Sequence, residues 1–518
     1  MTTMRDVATL AGVSTATVSH FINNSRRLTP ETRARVEHAI TTTGFVPNPA
    51  GRLLAQQKSH VRPSISLPTA QRENAVPGGS GNGYENRSDS VAVAPFVPRA
   101  FPNLSPGSTV NAPGSSTTRL LLRIIRAAQP ISRADLARRL GVNRSTVTDI
   151  VRPLLDSGVL REGAPEQAGD GRAGRPPIGL SLLAKKAIFV GVNIGVRRTQ
   201  VGATQAGGDH HAEEAFDTPP NPAEALALIR STIETMSTDA SPDQQLYVGV
   251  SVPGPTDADR TRILYAPHLG WRDVRVAELL RGVKAGGRAA TQEAFITVEN
   301  DATAAATYEA RRRFRNDTSG ELWNDFILVR AGTGVGVGLV RGGEVYRGTG
   351  VGGGLAGEFG HMTIVAGGKE CACGNRGCWE RYASATAAAS LYAGDRAPGR
   401  LVTAPRFMDI VGRAEVGERR AQATLARVGE YLGIGIGNVI SGLGVPRVVV
   451  SGRIVFGWKF IEEPLREMVA RTMAGRLAKW SIVPGEPTGS GLGGALEVAV
   501  EQYLTTTTNG VAKQVAWP

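Results

Sequence analysis

Hydrophobic and polar positions change their spacing three times along this chain. From Met1 to about Ser59, apolar residues recur at helical intervals in short blocks punctuated by Gly12, Ser14 and Pro30, which predicts compact helices. The pattern disappears over residues 60–115. That stretch holds eight prolines among many Gly, Ser and Asn residues, a composition that predicts a flexible linker. Helical spacing returns at Leu120, Leu121, Ile124 and Ile125, and a second small domain runs to about Leu183. Beyond it come the β-like runs AIFVGVNIG, LYVGVSVPGP, AFITVEND, FILVRAGTGVGVGLV and RVVVSG. Helical stretches such as 220–237 and 418–441 lie between them, and this alternation predicts an α/β domain.

Both small domains carry the punctuation of a helix-turn-helix. In the first, Arg5–Leu10 predicts a helix, Gly12 a tight turn, and Ser14 an N-cap for the helix TATVSHFIN. Ala8, Val13, Val18 and Phe21 supply a core that holds the two helices at an angle. Thr29-Pro30-Glu31 opens a third helix with proline at its first position. In the second domain, Ser132 caps a helix through Ala137, Gly141 turns the chain, and Asn143 caps RSTVTDIVRPLLDSG. VLREG, the loop GDGRAGRPP and IGLSL then predict two strands flanking a wing. The second helix would present Arg144, Ser145 and Thr146 to a major groove. Arg172 and Arg175 on the wing are placed for phosphates or a minor groove.

Charge fits this picture. The formal net charge is +13 and the pI about 10.0, which suggests a polyanionic partner. Residues 1–60 carry seven Arg or Lys against three Asp or Glu, and residues 117–182 carry eleven Arg against six acids. The expected partner is therefore double-stranded DNA. A helical bundle without a DNA role, or a winged helix used for protein contacts, is the alternative. No apolar run reaches transmembrane length and the first residues lack a signal peptide's apolar core, so no membrane partner is expected. The expected location is the cytoplasm.

All three cysteines, Cys371, Cys373 and Cys378, fall within eight residues, ten residues after His361. One imidazole and three thiolates make a closed tetrahedral zinc set with no open position, so a structural Zn²⁺ is expected. Three free buried thiols are the alternative, disfavoured because the chain has no other cysteine. Clustered cysteines of this kind argue for a reducing compartment.

The run Glu358-Phe-Gly-His361, followed by Cys371-Ala-Cys373-Gly-Asn-Arg-Gly-Cys378-Trp-Glu380, resembles the signature of the ROK family (repressors, open reading frames and sugar kinases). The resemblance covers about residues 185–505. It implies a two-lobed α/β sugar-kinase-like domain of the actin-like ATPase/ribonuclease-H-like class. It also implies that His361 serves both zinc and sugar, that Glu358 and Glu380 bind sugar hydroxyls, and that Asn300 and Asp301 join them. In ROK kinases the residue matching Asp301 is the general base. The nucleotide half departs from the kinase pattern. Asn193 replaces the acid that helps hold Mg²⁺, Val196 replaces a glycine after Gly195, and Arg197 replaces a small threonine. The second phosphate loop, Gly332-Thr333-Gly334, is intact, whereas the adenosine-side motif reads Ser451-Gly452-Arg453. Any base role for Asp301 would be vestigial, and Gly195, Gly332, Thr333 and Gly334 would form a degenerate nucleotide site.

The first head, from Arg5 to Ser59, resembles the LacI-type DNA-binding head. That resemblance implies base contacts by the recognition-helix positions Thr15, Ala16, Thr17 and His20, and a hinge-helix leucine, Leu54, wedged into a minor groove. The second head resembles the winged helix of ROK-family repressors. The expected organisation is multidomain. An all-α LacI-type head occupies 1–59, a linker 60–115, a winged helix-turn-helix 116–183, the sugar-binding domain 184–505 and a tail 506–518. The expected function is sugar-responsive transcriptional regulation, most simply repression of carbohydrate-metabolism genes, by a homodimer or homotetramer with a small-molecule sugar effector. The competing expectation is an active ATP-dependent sugar kinase that also binds DNA.

Overall fold

The computed structural model describes residues 4–22, 29–43, 116–163, 178–183, 187–205, 212–238, 240–241, 244–283, 293–316, 323–349, 354–394 and 405–515. The chain divides into two compact units, Met1–Val110 and Asn111–Pro518.

The first unit contains α1 (Met4–Ala11), α2 (Thr15–Ile22) and α3 (Pro30–Thr43). Gly12 takes φ 63°, and Ser14 Oγ accepts from the Thr17 amide at 3.2 Å, so the predicted turn and cap both form. The core is larger than the two-helix contact read from sequence. Val36 and Ala39 of α3 are buried with Val7, Ala8, Ala11 and Val18, while Val13, Phe21 and Ile40 pack at its edge. The expected hinge region with Leu54 and the linker lie outside the described residues.

The second unit opens with α4 (Ser116–Ala128), β1 (Ile131–Ser132), α5 (Arg133–Leu140), α6 (Arg144–Asp156), β2 (Leu160–Gly163) and β3 (Gly179–Leu182). The strands form a sheet in the order β1-β3-β2. Ser132 Oγ accepts from the Asp135 amide at 3.1 Å, and Gly141 ends α5 at φ 65°, a conformation that excludes most side chains. Asn143 begins α6 without a side-chain capping bond, so backbone geometry alone starts that helix. The wing arginines, Arg172 and Arg175, lie outside the described residues. Leu121, Leu122, Ile124 and Ile125 of α4 are fully buried, each contributing ~1.5–3 kcal/mol of apolar burial. Their cluster continues through Leu136, Ile150 and Leu180 into Phe189, Tyr247, Phe314 and Leu504 of the α/β domain, so winged helix and α/β domain share one core.

The α/β domain is built from two five-stranded sheets of like design. The first comprises β4 (Ala187–Ile194), β5 (Arg198–Gln205), β6 (Ala212–Asp217), β7 (Gln245–Val252) and β10 (Phe295–Asn300), with α7 (Pro222–Met236) and the hairpin β8 (Ile263–Ala266) and β9 (Trp271–Val274) between them. Its order is β10-β7-β4-β5-β6, parallel from β10 to β4 and antiparallel from β4 to β6. The helix α8 (Asp301–Asn316) follows. The second sheet contains β11 (Phe326–Ala331), β12 (Val335–Arg341), β13 (Glu344–Tyr346), β14 (Arg447–Ser451) and β15 (Ser481–Pro484). Its order, β13-β12-β11-β14-β15, repeats the same mixture. The helices α9 (Phe407–Glu415), α10 (Arg419–Leu443) and α11 (Trp458–Arg471) pack against it around Trp379, Leu425, Leu432 and Ile461.

The last helix, α12 (Ser490–Val515), runs without a break through the segment expected as a tail from 506. Leu504 and Thr508 are buried, and Thr505, Thr506 and Thr508 return their hydroxyls to the carbonyls four residues back. Burial of this face carries the helix past residue 505, although hydroxyl bonds to the preceding turn on their own weaken a helix slightly.

Candidate functional site

The candidate sugar site gathers where the first sheet hands over to α8. Asn300 ends β10, and its Oδ1 caps α8 by accepting from the amides of Ala302 (2.9 Å) and Thr303 (3.2 Å). Its Nδ2 donates to the Gly254 carbonyl at 3.2 Å. Much of this carboxamide is therefore committed to holding the next residue, Asp301, at the head of the helix.

Glu380 begins the short helix Glu380–Ala383 and is 5% exposed. Its Oε2 lies 3.4 Å from His268 Nε2, and its Oε1 accepts from Cys371 Sγ at 3.0 Å. Burial opposes ionisation of Glu380, but the bonds to His268 and Cys371 hold its carboxyl below the ordinary value. The bond to Glu380 in turn raises His268. Glu358 opens the turn Glu358–His361. Burial, then the charges of Asp301 and Glu380, push its carboxyl up to about 7. The strand β12 enters beside these acids through Gly334, where a Cβ would stand 2.3 Å from Glu380 Oε2 and 3.2 Å from His268 Nε2. Any side chain there would fill the pocket. Asp301, Glu358, His268, His361 and Glu380 thus form one electrostatic cluster, with the acceptors and donors that sugar hydroxyls require.

Two further residues belong to this site: His268, in the stretch Pro267-His268-Leu-Gly-Trp271 that resembles a ROK-family loop near the sugar, and Arg330, which sequence reasoning did not single out. His268 faces Glu380 directly. Arg330, on β11, donates through Nη1 to Asp301 Oδ2 at 2.5 Å, while its Nε is buried with no hydrogen-bond partner. The signal in the sequence was a lone charge inside the apolar run FILVRAG.

The candidate metal centre adjoins the same pocket. The ligand atoms of His361, Cys371, Cys373 and Cys378 lie within 4.8 Å of one another. His361 Nδ1 is 3.6 Å from Cys371 Sγ, and Cys373 Sγ is 3.7 Å from Cys378 Sγ. Four ligands at ~2.3 Å from a tetrahedral ion stand about 3.7 Å apart, so the residues fit zinc. The loop is braced by bridges Thr363↔Cys378 and Glu370↔Arg376. His361 Nε2 points the other way, 3.9 Å from Glu358. One ring can therefore serve both a metal and the pocket.

Of the expected nucleotide residues, Gly195 begins the turn from β4 to β5, where its amide bonds the Arg198 carbonyl. Arg197 and Arg198 are exposed there. Asn193 Nδ2 bonds Gln200 at 3.0 Å. Gly332, Thr333 and Gly334 form the β11–β12 turn, closed by the Gly332 amide on the Gly334 carbonyl.

The candidate DNA-reading helices offer their N-terminal turns to solvent. On α6, Val147, Ile150, Val151 and Leu154 are buried, which leaves Arg144 and Ser145 exposed and Thr146 half-buried. On α2, Thr15 is exposed and Thr17 half-buried, its hydroxyl 3.0 Å from Ser14 Oγ; Ala16 and His20 are part of the same helix.

Comparison with known proteins agrees with this architecture. Residues 3–48 match the bacterial regulatory proteins of the lacI family, and residues 115–161 match a winged helix-turn-helix DNA-binding domain. A xylose repressor from Bacillus spizizenii is 29% identical over 360 residues, 68% of this chain and 86% of that protein. A glucokinase from Streptomyces coelicolor is 30% identical over 200 residues, 39% of this chain and 57% of that one. In fold, the chain is similar to a crystal structure of a ROK family transcriptional regulator, a homologue of the E. coli MLC protein. The TM-score is 0.58 at 22% identity, covering 77% of this chain and all of that one. The ROK family profile matches residues 189–502, well over half of the sequence, and the chain belongs to the ROK family.

Proposed function

We propose that this protein is a sugar-responsive transcriptional repressor of carbohydrate-metabolism genes. It acts in the bacterial cytoplasm on double-stranded operator DNA, as a homodimer or homotetramer reading paired half-sites. The observation that carries this reading is the Arg330–Asp301 ion pair. A general base needs a carboxylate free to take a proton from the attacking hydroxyl. Here one oxygen of Asp301 is committed to a guanidinium, while Glu358, Glu380 and His268 remain arranged for hydroxyls. Such a pocket holds a sugar and performs no phosphoryl transfer. The substitutions Asn193, Val196 and Arg197 on the nucleotide side agree with that. Zn²⁺, held by His361, Cys371, Cys373 and Cys378, would be structural and would fix Glu380 and His361 beside the pocket.

The regulator relatives support DNA binding by the winged helix, with Arg144, Ser145 and Thr146 on the reading surface. The similarity to a xylose repressor makes D-xylose the first effector to test, with D-glucose beside it. Genomic fragments captured by the full chain, titrated by fluorescence anisotropy with and without each sugar, test the reading. Sugar should weaken DNA binding in the parent but not in Asp301→Ala or Glu358→Ala, both of which should still bind DNA. Sugar-driven release by either variant would refute the pocket assignment. The second reading, a DNA-binding sugar kinase, is favoured by the intact Gly332–Gly334 turn and the glucokinase relative. ADP formation from ATP·Mg²⁺ with either sugar, lost in Asp301→Ala, would establish it.

A further inference from the structure

The helix α4 of the winged domain sits across the seam between the two lobes. Arg123 donates through Nε and Nη2 to Glu501 of α12, at 2.7 and 2.5 Å, and α12 covers the first sheet. Its Nη1 reaches the other lobe at the β12–β13 turn, 3.3 Å from the Gly343 carbonyl and 3.2 Å from Glu344. Arg119, one turn earlier, donates to the same Glu344 at 2.9 Å. One helix therefore grips both lobes through two carboxylates.

The same seam is tied to the sugar pocket. Arg347, directly after β13, crosses back to the first lobe and donates to Glu299 Oε2 at 2.6 Å. Arg260 stands on the same oxygen at 3.0 Å. Glu299 is 1% exposed and immediately precedes Asn300-Asp301. The two halves of this network share charges. Burial opposes ionisation of Glu501, but Arg123, Arg347 and Arg260 together hold it below the ordinary carboxylate value. Arg123, Arg126, Arg311, Arg347, Glu497 and Glu501 also line a cavity of about 20 Å³, room for roughly one water. The seam is thus charged and holds a water-sized cavity, where the surrounding core is apolar.

We propose that Glu344 and Arg347 are positioning residues that carry the sugar signal to the DNA-binding head. Closure of the lobes on a sugar changes the spacing between Glu344 and Glu501, and α4, bound to both, moves the recognition helix with it. This rests on the repressor reading above. A ligand shifts DNA affinity only if bound and free states contact it differently, and a helix anchored to both lobes supplies that difference.

The test is the coupling factor, the ratio of DNA Kd with and without sugar, in the full chain. The probes are captured genomic DNA and D-xylose or D-glucose, with sugar Kd followed by tryptophan fluorescence. Glu344→Gln keeps the Arg123–Glu501 pair and should reduce the factor at least about fivefold toward unity. Sugar Kd and sugar-free DNA Kd should each stay within about threefold, a pattern that general destabilisation would not give. Arg347→Met should do the same from the pocket side, and decides the matter if Glu344→Gln does not fold. If both variants keep the parental factor, the proposal is overturned while the repressor reading stands. If the parent itself shows no sugar effect, that reading fails and takes the proposal with it.

Discussion

Removing the cation beside Asp301 tests the reasoning most directly. In Arg330→Met, Asp301 keeps its place at the head of α8 but loses the guanidinium at 2.5 Å. Two unit charges ~4 Å apart are worth ~1 kcal/mol in water and ~4 kcal/mol at an effective dielectric of 20. The two side chains are 25% and 20% exposed, between these limits, and desolvation offsets part of the attraction. We therefore expect the pair to be coupled by about 2 kcal/mol. Urea unfolding followed by tryptophan fluorescence reads this cleanly, because all six tryptophans lie between Trp271 and Trp517 and the two heads contain none. The cycle needs the parent, Arg330→Met, Asp301→Asn and the double variant. Arg330→Met should cost about 2 kcal/mol, and Asp301→Asn in that background should recover most of it. Additive effects to within about 0.5 kcal/mol would show that the ion pair does not restrain Asp301, and the case against base chemistry would fall.

Three further outcomes are expected. Cys373→Ser, or chelation, should release one Zn²⁺ per chain, measured by elemental analysis, and should weaken sugar binding through loss of the Glu380–His361 arrangement; a chain purified without metal that binds sugar equally well would contradict this. In the sugar-free protein, the raised Glu358 carboxyl stabilises the fold below its unfolded value of about 4.5, and that contribution is lost as pH rises through about 7. The full shift corresponds to ~3 kcal/mol, reduced to about 1–2 by the solvent reaching this side chain, and Glu358→Gln should flatten the pH dependence of the urea midpoint between pH 5 and 8. Arg144→Ala should weaken binding to captured DNA by ~1–3 kcal/mol, with relaxed sequence preference if it reads a base and a salt slope smaller by about one if it binds a phosphate; no change in affinity would remove α6 from the interface.

What the sequence determined by itself is local. Gly12, Ser14, Pro30, Ser132 and Gly141 punctuate both helix-turn-helix units, because a cap or a left-handed turn depends on a few neighbouring residues. The strand runs announce themselves by apolar content and Gly-rich ends. The four candidate metal-ligand residues fall within eighteen positions, so their convergence was legible in their spacing. That the last helix continues past 506 is not legible locally, because nothing in the neighbouring residues shows that Leu504 and Thr508 are buried. Tertiary structure alone decided the rest. Arg330 meets Asp301 across 29 residues, Arg347 meets Glu299 across 48, Arg119 meets Glu344 across 225 and Arg123 meets Glu501 across 378. A charge inside an apolar strand signals only that some partner is required, since a buried ion needs compensation. Which partner it finds is set by the packing of two sheets and a shared core. In this chain that choice restrains Asp301 and ties the DNA-binding head to both lobes of the sugar module.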